Sequence, residues 1–431
     1  MDIRRAAPIA ALAAVGLALA GCSAGNSEEQ SEGDLRGQTV SVSLSEGTYT
    51  NQLRESLPEF EEETGITVEL NVLGLDQLSN QYQVKLNAQS ADLDVMFFRP
   101  LQEARLFEDN GWLVDLTDQV AEDADFGWDD FTASSVQSVT VDDSVYGVPA
   151  MTEREILFYN TELFAEAGIE VPTTTEELEA AAKKLHDPAN GRFGIALRGQ
   201  LSAAVTTFSG FLYSFGGDWV DESGNAAIDS KEAIAAYEYY GGLLRNYGPS
   251  GASSIDGAQA RAIFQNGQAA MYIDPDSGAG LLEDPTESQI AGKVGYAPFP
   301  TGPEGMHPYD VTSWAAGISE YSEKKAASWE FIKWATSSGV LDAAMQNQKS
   351  PSPRSSSWED PEVASGFSQE LTDIFSQYEG EAVGRDRPSV IEVGKVRDIV
   401  GAPIIAAING EDVAAAAKQA NESFQEYLDS E

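Results

Sequence analysis

The sequence predicts an α/β fold organised around a parallel sheet. Two observations lead there: strands and helices alternate from residue 39 onward, and the second half carries long amphipathic helical stripes. Thr39-Val40-Ser41-Val42-Ser43-Leu44 spaces its apolar residues by two, as a strand with one buried face does. Leu57 to Thr64 reads as a helix stopped by Gly65. Ile66 to Val72 alternates again as a second strand. After a further helix, Asp94-Val95-Met96-Phe97-Phe98 is a short apolar run, consistent with a strand covered on both faces. Farther along, Lys324 to Ser337 gathers Ala327, Phe331, Trp334 and Ala335 on one helical face. Val413 to Leu428 does the same with Val413, Ala417, Ala420, Phe424 and Leu428. Between these helices, Ser350 to Ser357 is rich in Pro and Ser and reads as a crossover or loop.

The start of the chain says where it works. Arg4 and Arg5 precede an apolar stretch, Ala6 to Gly21, too short for a bilayer span of roughly 20 residues. This is the pattern of a secretory signal peptide, residues 1–21. Cys22, the only cysteine, follows Leu19-Ala20-Gly21 directly. That junction resembles the lipobox of bacterial lipoproteins, which implies a lipid on the Cys22 thiol and anchoring on the outer face of the cell membrane. Residues 22–37 are Ser-, Gly- and Glu-rich and are expected to form a disordered tether. With Cys22 consumed, no disulfide can contribute to stability.

Composition narrows the partners. Apolar residues make up 42% of the 431, enough for a sizeable core and for two or three domains. Seventy acidic residues against 26 basic ones give a formal net charge of −44, a field that repels nucleic acid and anionic lipid. No phosphate-cradling loop, no dinucleotide fingerprint and no cofactor motif is present. Two histidines, His186 and His307, are poor material for a zinc site or a Ser-His-Asp triad. Asp274 to Gly278 has the outline of a calcium loop but lacks its later acidic ligands, so no metal is expected. Carboxylate pairs are abundant, and a glycosidase needs only two; none stands out here.

What stands out is a set of segments with aromatics beside charged groups at the ends of apparent strands. They are Phe98-Arg99-Pro100, Met151 to Glu155, Phe215 to Trp219, Tyr272 to Asp276 and Thr312-Ser313-Trp314. Ligands of open α/β sheets bind outside the carboxyl ends of strands. A sugar offers flat C–H faces to aromatic rings and hydroxyls to carboxylates and guanidinium groups.

Several of these stretches, with Phe60 to Val68, Val145 to Pro149, Phe158 to Phe164, Phe264 to Met271 and Ser328 to Trp334, resemble family 1 extracellular solute-binding proteins. The stretch from Glu283 to Pro298 is similar to the subgroup serving sugar and polyol importers. The resemblance implies a two-lobed periplasmic-binding-protein-like fold of type II, with a hinge and a ligand cleft between the lobes. It places the first lobe at 36–148 plus 295–345 and the second at 149–294 plus 346–431. It implies no catalysis and no cofactor. The expected partners are a small sugar or polyol and the permease subunits of an ABC transporter, and the protein is expected to be a monomer. Position by position, Glu153 stands where sugar-contacting glutamates do in maltose-binding members, and Trp314 where the family often has a cleft tryptophan. Arg354 lies in a Pro-x-Arg segment, and Arg99 follows the third strand. Asp274 and Asp276 replace an aromatic platform, which favours a small ligand over a long oligosaccharide. Trp219 completes the candidate set. Two other readings stay open: a secreted glycoside hydrolase, and a ligand-sensing lipoprotein of the same fold.

Overall fold

The computed structural model describes residues 35–124, 126–378 and 380–431. The expected signal segment, the expected lipidation site Cys22 and most of the expected tether lie outside the described residues. The tether's last residues lie inside them: Leu35 packs on an apolar core and the Gly37 amide donates to the Gly65 carbonyl at 2.8 Å.

Strands β1 (Thr39–Ser45), β2 (Thr67–Leu73) and β3 (Val95–Phe98) are joined by helices α1 (Thr48–Thr64) and α2 (Leu75–Asn87), and β3 runs into α3 (Pro100–Asp109). A two-stranded ribbon, β4 (Thr140–Val141) and β5 (Ser144–Val145), precedes β6 (Val148–Asn160). Then come β7 (Phe193–Ala196), β8 (Ala269–Pro275), β9 (Val294–Ala297) and β10 (Asp310–Ile318). Pairing of β1 with β2 and β3 is parallel, as the alternation predicts. Helix α1 starts earlier than its apolar pattern suggests but ends at Gly65, whose φ of 72° is the left-handed C-cap that glycine adopts at little cost. The last helix spans Val413–Leu428, with Val413, Ala417, Ala420 and Phe424 buried.

The sheet runs in the order β2-β1-β3-β10-β6-β8-β7, with β9 also on β6. Its centre is the long strand β6. Residues 148–154 of β6 pair with β10, while residues 155–160 pair with β8 and β9. A strand that changes partners midway belongs to two bodies at once. The apolar side chains accordingly form two large cores. One takes β1–β3, the start of β6, the end of β10 and the helix Lys325–Ala335. The other takes the rest of β6, β7–β9 and the helices from Leu201 to Ser214, Lys231 to Tyr247 and Val393 onward.

These cores redraw two lobe boundaries. Tyr296, Ala297 and Phe299, expected in the first lobe, pack in the second core because β9 pairs with the far half of β6. Residues 346–366, expected in the second lobe, build a small third cluster around Met345, Trp358, Val363 and Ala364. Arg354 and Ser356 tie it to Asp130 of the first lobe. Both shifts follow from pairing and packing partners distant in sequence.

Candidate functional site

Where β6 and β10 pass between the cores, the sheet is exposed to a cleft. Met151–Glu155 and Thr312–Trp314, read from sequence as strand-end loops, are the middle of these two strands. Alternation then separates neighbours on β6: Glu153 lines the cleft, Arg154 points to the other face, and Glu155 returns to the first side but deeper, under the second lobe. In β10 the register slips between Thr312 and Ala315, a bulge that re-aims Trp314.

The cleft is a cavity of about 250 Å³ lined by Arg99, Gln102, Glu153, Arg198, Trp314 and Arg387, with Tyr309 and Asp386 among the others. Trp314 also walls an adjoining apolar compartment of about 150 Å³ formed with Leu44, Tyr49, Phe97 and Met151. A wider groove of about 1140 Å³ involves the other face of the hinge, where Asp310 and Phe375 line it. It contains none of the sequence-predicted residues.

Each arginine of the cleft arrives with its own carboxylate. The Arg198 Nε–H donates to Asp274 Oδ1 at 2.6 Å, and Asp274 also accepts from Thr207 and Tyr272. Arg387 donates through Nε and Nη2 to both oxygens of Asp386, each at 2.5 Å. Burial alone would raise the Asp386 carboxyl, but the Arg387 charge and hydrogen bonds, with Arg397 behind, hold it down at about 2. Arg99 binds Glu103 one turn along α3, at 3.1 Å. Glu153 is the exception. Among the described residues it has no guanidinium partner and accepts only from Ser277 Oγ, at 3.1 Å. Burial raises its carboxyl to about 7, with Ser277 and Arg198 pulling down and Asp276 and Asp274 pushing up.

Glu153, Trp314 and Arg99 therefore meet in one cavity, and Asp274 stands directly behind it. Asp276 lies across the strand, where it accepts from the Arg154 backbone amide at 3.0 Å and from its Nε at 2.8 Å. The Arg154 guanidinium also stacks 3.9 Å above the Trp358 ring. Arg354 is buried outside the cleft and donates to the carbonyls of Thr336, Gly127 and Phe126 and to Asp130. Trp219 is 1% exposed in the second core, its indole N–H donating to Tyr213 Oη at 2.7 Å. The Gly216-Gly217 turn beside it follows a helix and not a strand. Arg198, Gln102, Asp386 and Arg387 entered no sequence-based set. Arg198 follows β7 by two residues, so the strand-end rule reaches it. Asp386 and Arg387 sit in a segment with no strand before it.

Two lobes, continuous hinge strands and a polar cleft between them restrict the family, and the comparison decides it: residues 46–341 match the model of the bacterial extracellular solute-binding proteins. The chain belongs to this family. As a member, it is 30% identical over 244 residues to a mannitol-binding protein of Pseudomonas aeruginosa, and spans about half of that relative's length (55%). An erythritol/L-threitol-binding protein of Mycolicibacterium smegmatis is 25% identical over 335 residues, covering 72% of this chain and 69% of the relative. Among solved structures, a solute-binding protein of Agrobacterium radiobacter K84 in complex with ribitol superposes with a TM-score of 0.75 at 27% identity, covering 91% of this solute-binding protein and 99% of the other. All three are binding proteins, and the Agrobacterium one is a solute-binding protein of an ABC transporter.

Proposed function

We propose that this solute-binding protein captures a small, neutral, polyhydroxylated solute, a sugar alcohol or small sugar, and passes it to the permease of an ABC importer. The observation that carries the reading is the pairing inside the cleft. Three arginines line it and each is already neutralised by Glu103, Asp274 or Asp386. Such pairs present donors and acceptors side by side without net charge, which suits vicinal hydroxyls and offers an anion little. The size agrees, since about 250 Å³ lies below the roughly 300–1,000 Å³ of sites for drug-sized ligands. The polyol ligands of the relatives agree as well. In this reading Glu153, Arg99 and Arg198 hydrogen-bond the solute and Trp314 covers its C–H face. Asp274 aims Arg198, Asp276 steadies the hinge strand, and Arg354 and Trp219 brace the scaffold.

The lipid on Cys22 would keep the binder near its permease and raise its effective concentration there. A Cys22→Ser variant is expected in the soluble fraction, and its retention in membranes sinks the anchor. Calorimetric titration with mannitol, ribitol, erythritol, glucose and maltose tests the ligand class. Binding of a four- to six-carbon polyol supports it, whereas a null across the panel with binding of a peptide or organic anion overturns it.

A further inference from the structure

We propose that Arg387 is a latch between the lobes, with Gln102 as its catch, and that this contact sets how long a captured solute is held. The inference rests on the reading of the cleft as the solute site. Four consecutive residues form a strap that grips both lobes in turn. Gly384 is pinned to the helix Ala133–Val139 of the first lobe: its amide donates to Gln137 Oε1 and its carbonyl accepts from Ser138 Oγ, both at 2.8 Å. A Cβ on Gly384 would lie 2.4 Å from the Ser134 carbonyl oxygen, so the approach requires glycine. Arg385 turns to the second lobe and pairs with Asp218. Asp386, 1% exposed, fixes the Nε and Nη2 edge of Arg387. The remaining nitrogen, Nη1, reaches back over the cleft to Gln102 Oε1 on α3 at 3.2 Å. Among the described residues, this is the only side-chain hydrogen bond that joins cavity-lining residues of the two lobes across the cleft. A neutral amide as catch makes the contact reversible, as repeated loading and release demand, where a carboxylate would hold harder.

Release kinetics of mannitol or ribitol, by stopped-flow tryptophan fluorescence, test the latch with Arg387→Gln, Gln102→Ala, the double variant and Gln102→Glu. Each single removal is expected to speed release roughly tenfold with little change in the association rate, and the double variant to do no more than either. Gln102→Glu is expected to slow release. Additive single effects, equal losses in both rates, or faster release from Gln102→Glu overturn the latch. Small-angle scattering of the free protein reads it without any ligand. Gln102→Glu should be more compact than wild type and Arg387→Gln more open, and identical profiles also overturn it. If no polyol binds wild type while scattering shifts as stated, the ligand class fails and the latch stands.

Discussion

The two walls of the cleft are built to different standards. On the second lobe, Arg198 is 19% exposed against an Asp274 side chain that is 6% exposed and has two further donors, Thr207 and Tyr272. The Tyr240 hydroxyl even donates to the Arg198 carbonyl, at 2.5 Å. On the first lobe, Arg99 is 37% exposed, its pair with Glu103 is a local contact four residues apart at the start of α3, and among the described residues Ser79 is its one other side-chain partner. One wall is fixed before any solute arrives, and the other is free to adjust. A hinged binder gains from this asymmetry: a preorganised wall receives the solute, and a softer one closes over it without an exact register.

The largest test of that contrast is to break one pair on each wall. Asp274→Ala leaves the Arg198 guanidinium buried without its partner and removes the acceptor of Thr207 and Tyr272. It is expected to cost about 3 kcal/mol or more in chemical denaturation. Glu103→Ala, on the softer wall, is expected to cost less, about 1–2 kcal/mol, because water solvates the freed Arg99 while Ser79 and the Arg99 amide lose their acceptor. Equal costs would show that the walls are alike. Trp314→Ala comes next. Its ring is half-buried between two compartments, so its loss should weaken solute binding by about 2 kcal/mol, roughly thirtyfold by calorimetry, with a smaller effect on stability. An unchanged affinity would move the solute away from the bulge in β10.

How much of this was legible in the sequence follows from where each signal lies. Strands β1 to β3, Gly65 and the last helix were readable because their patterns are local: one face meets the core and the other meets water or helices. The middle of β6 was not. Thr152-Glu153-Arg154-Glu155 looks like a solvated loop, since the strand there leaves one core, crosses the cleft and enters the other, and no single face stays apolar. Glu153 and Arg154 are partnered instead by Ser277 and Asp276, and Glu155 is buried in the second lobe. Glu155 is the extreme case, fully buried with neither carboxyl oxygen hydrogen-bonded, and burial with Asp274 nearby raises it far above the usual carboxylate range. Arg387 was hidden for another reason. Gly384-Arg385-Asp386-Arg387-Pro388 has the composition of a surface turn, and its partners Gln137, Thr206 and Gln102 are each more than 150 residues away.

The smallest expected effect is the pH dependence of binding, and it separates the walls by chemistry. Glu153, on the hinge strand between them, is raised by burial to about 7 from an ordinary 4.5, with Arg198, Asp274, Asp276 and Ser277 facing it. The folded protein thus holds a proton there that the unfolded chain has lost between those two values, and Glu153 lowers stability as pH rises through that window. A solute hydroxyl that donates to Glu153 favours the ionised carboxylate, so solute binding should expel the proton. Affinity is then expected to climb a few-fold from pH 6 to 8, with proton release visible as a buffer-dependent enthalpy in calorimetry. Glu153→Gln cannot titrate, so its affinity should be weaker and flat over the same range. If the variant keeps the wild-type slope, the proton belongs to another group. If wild type shows no slope, the solute does not touch Glu153, and the arginines of the two walls hold it without the hinge strand.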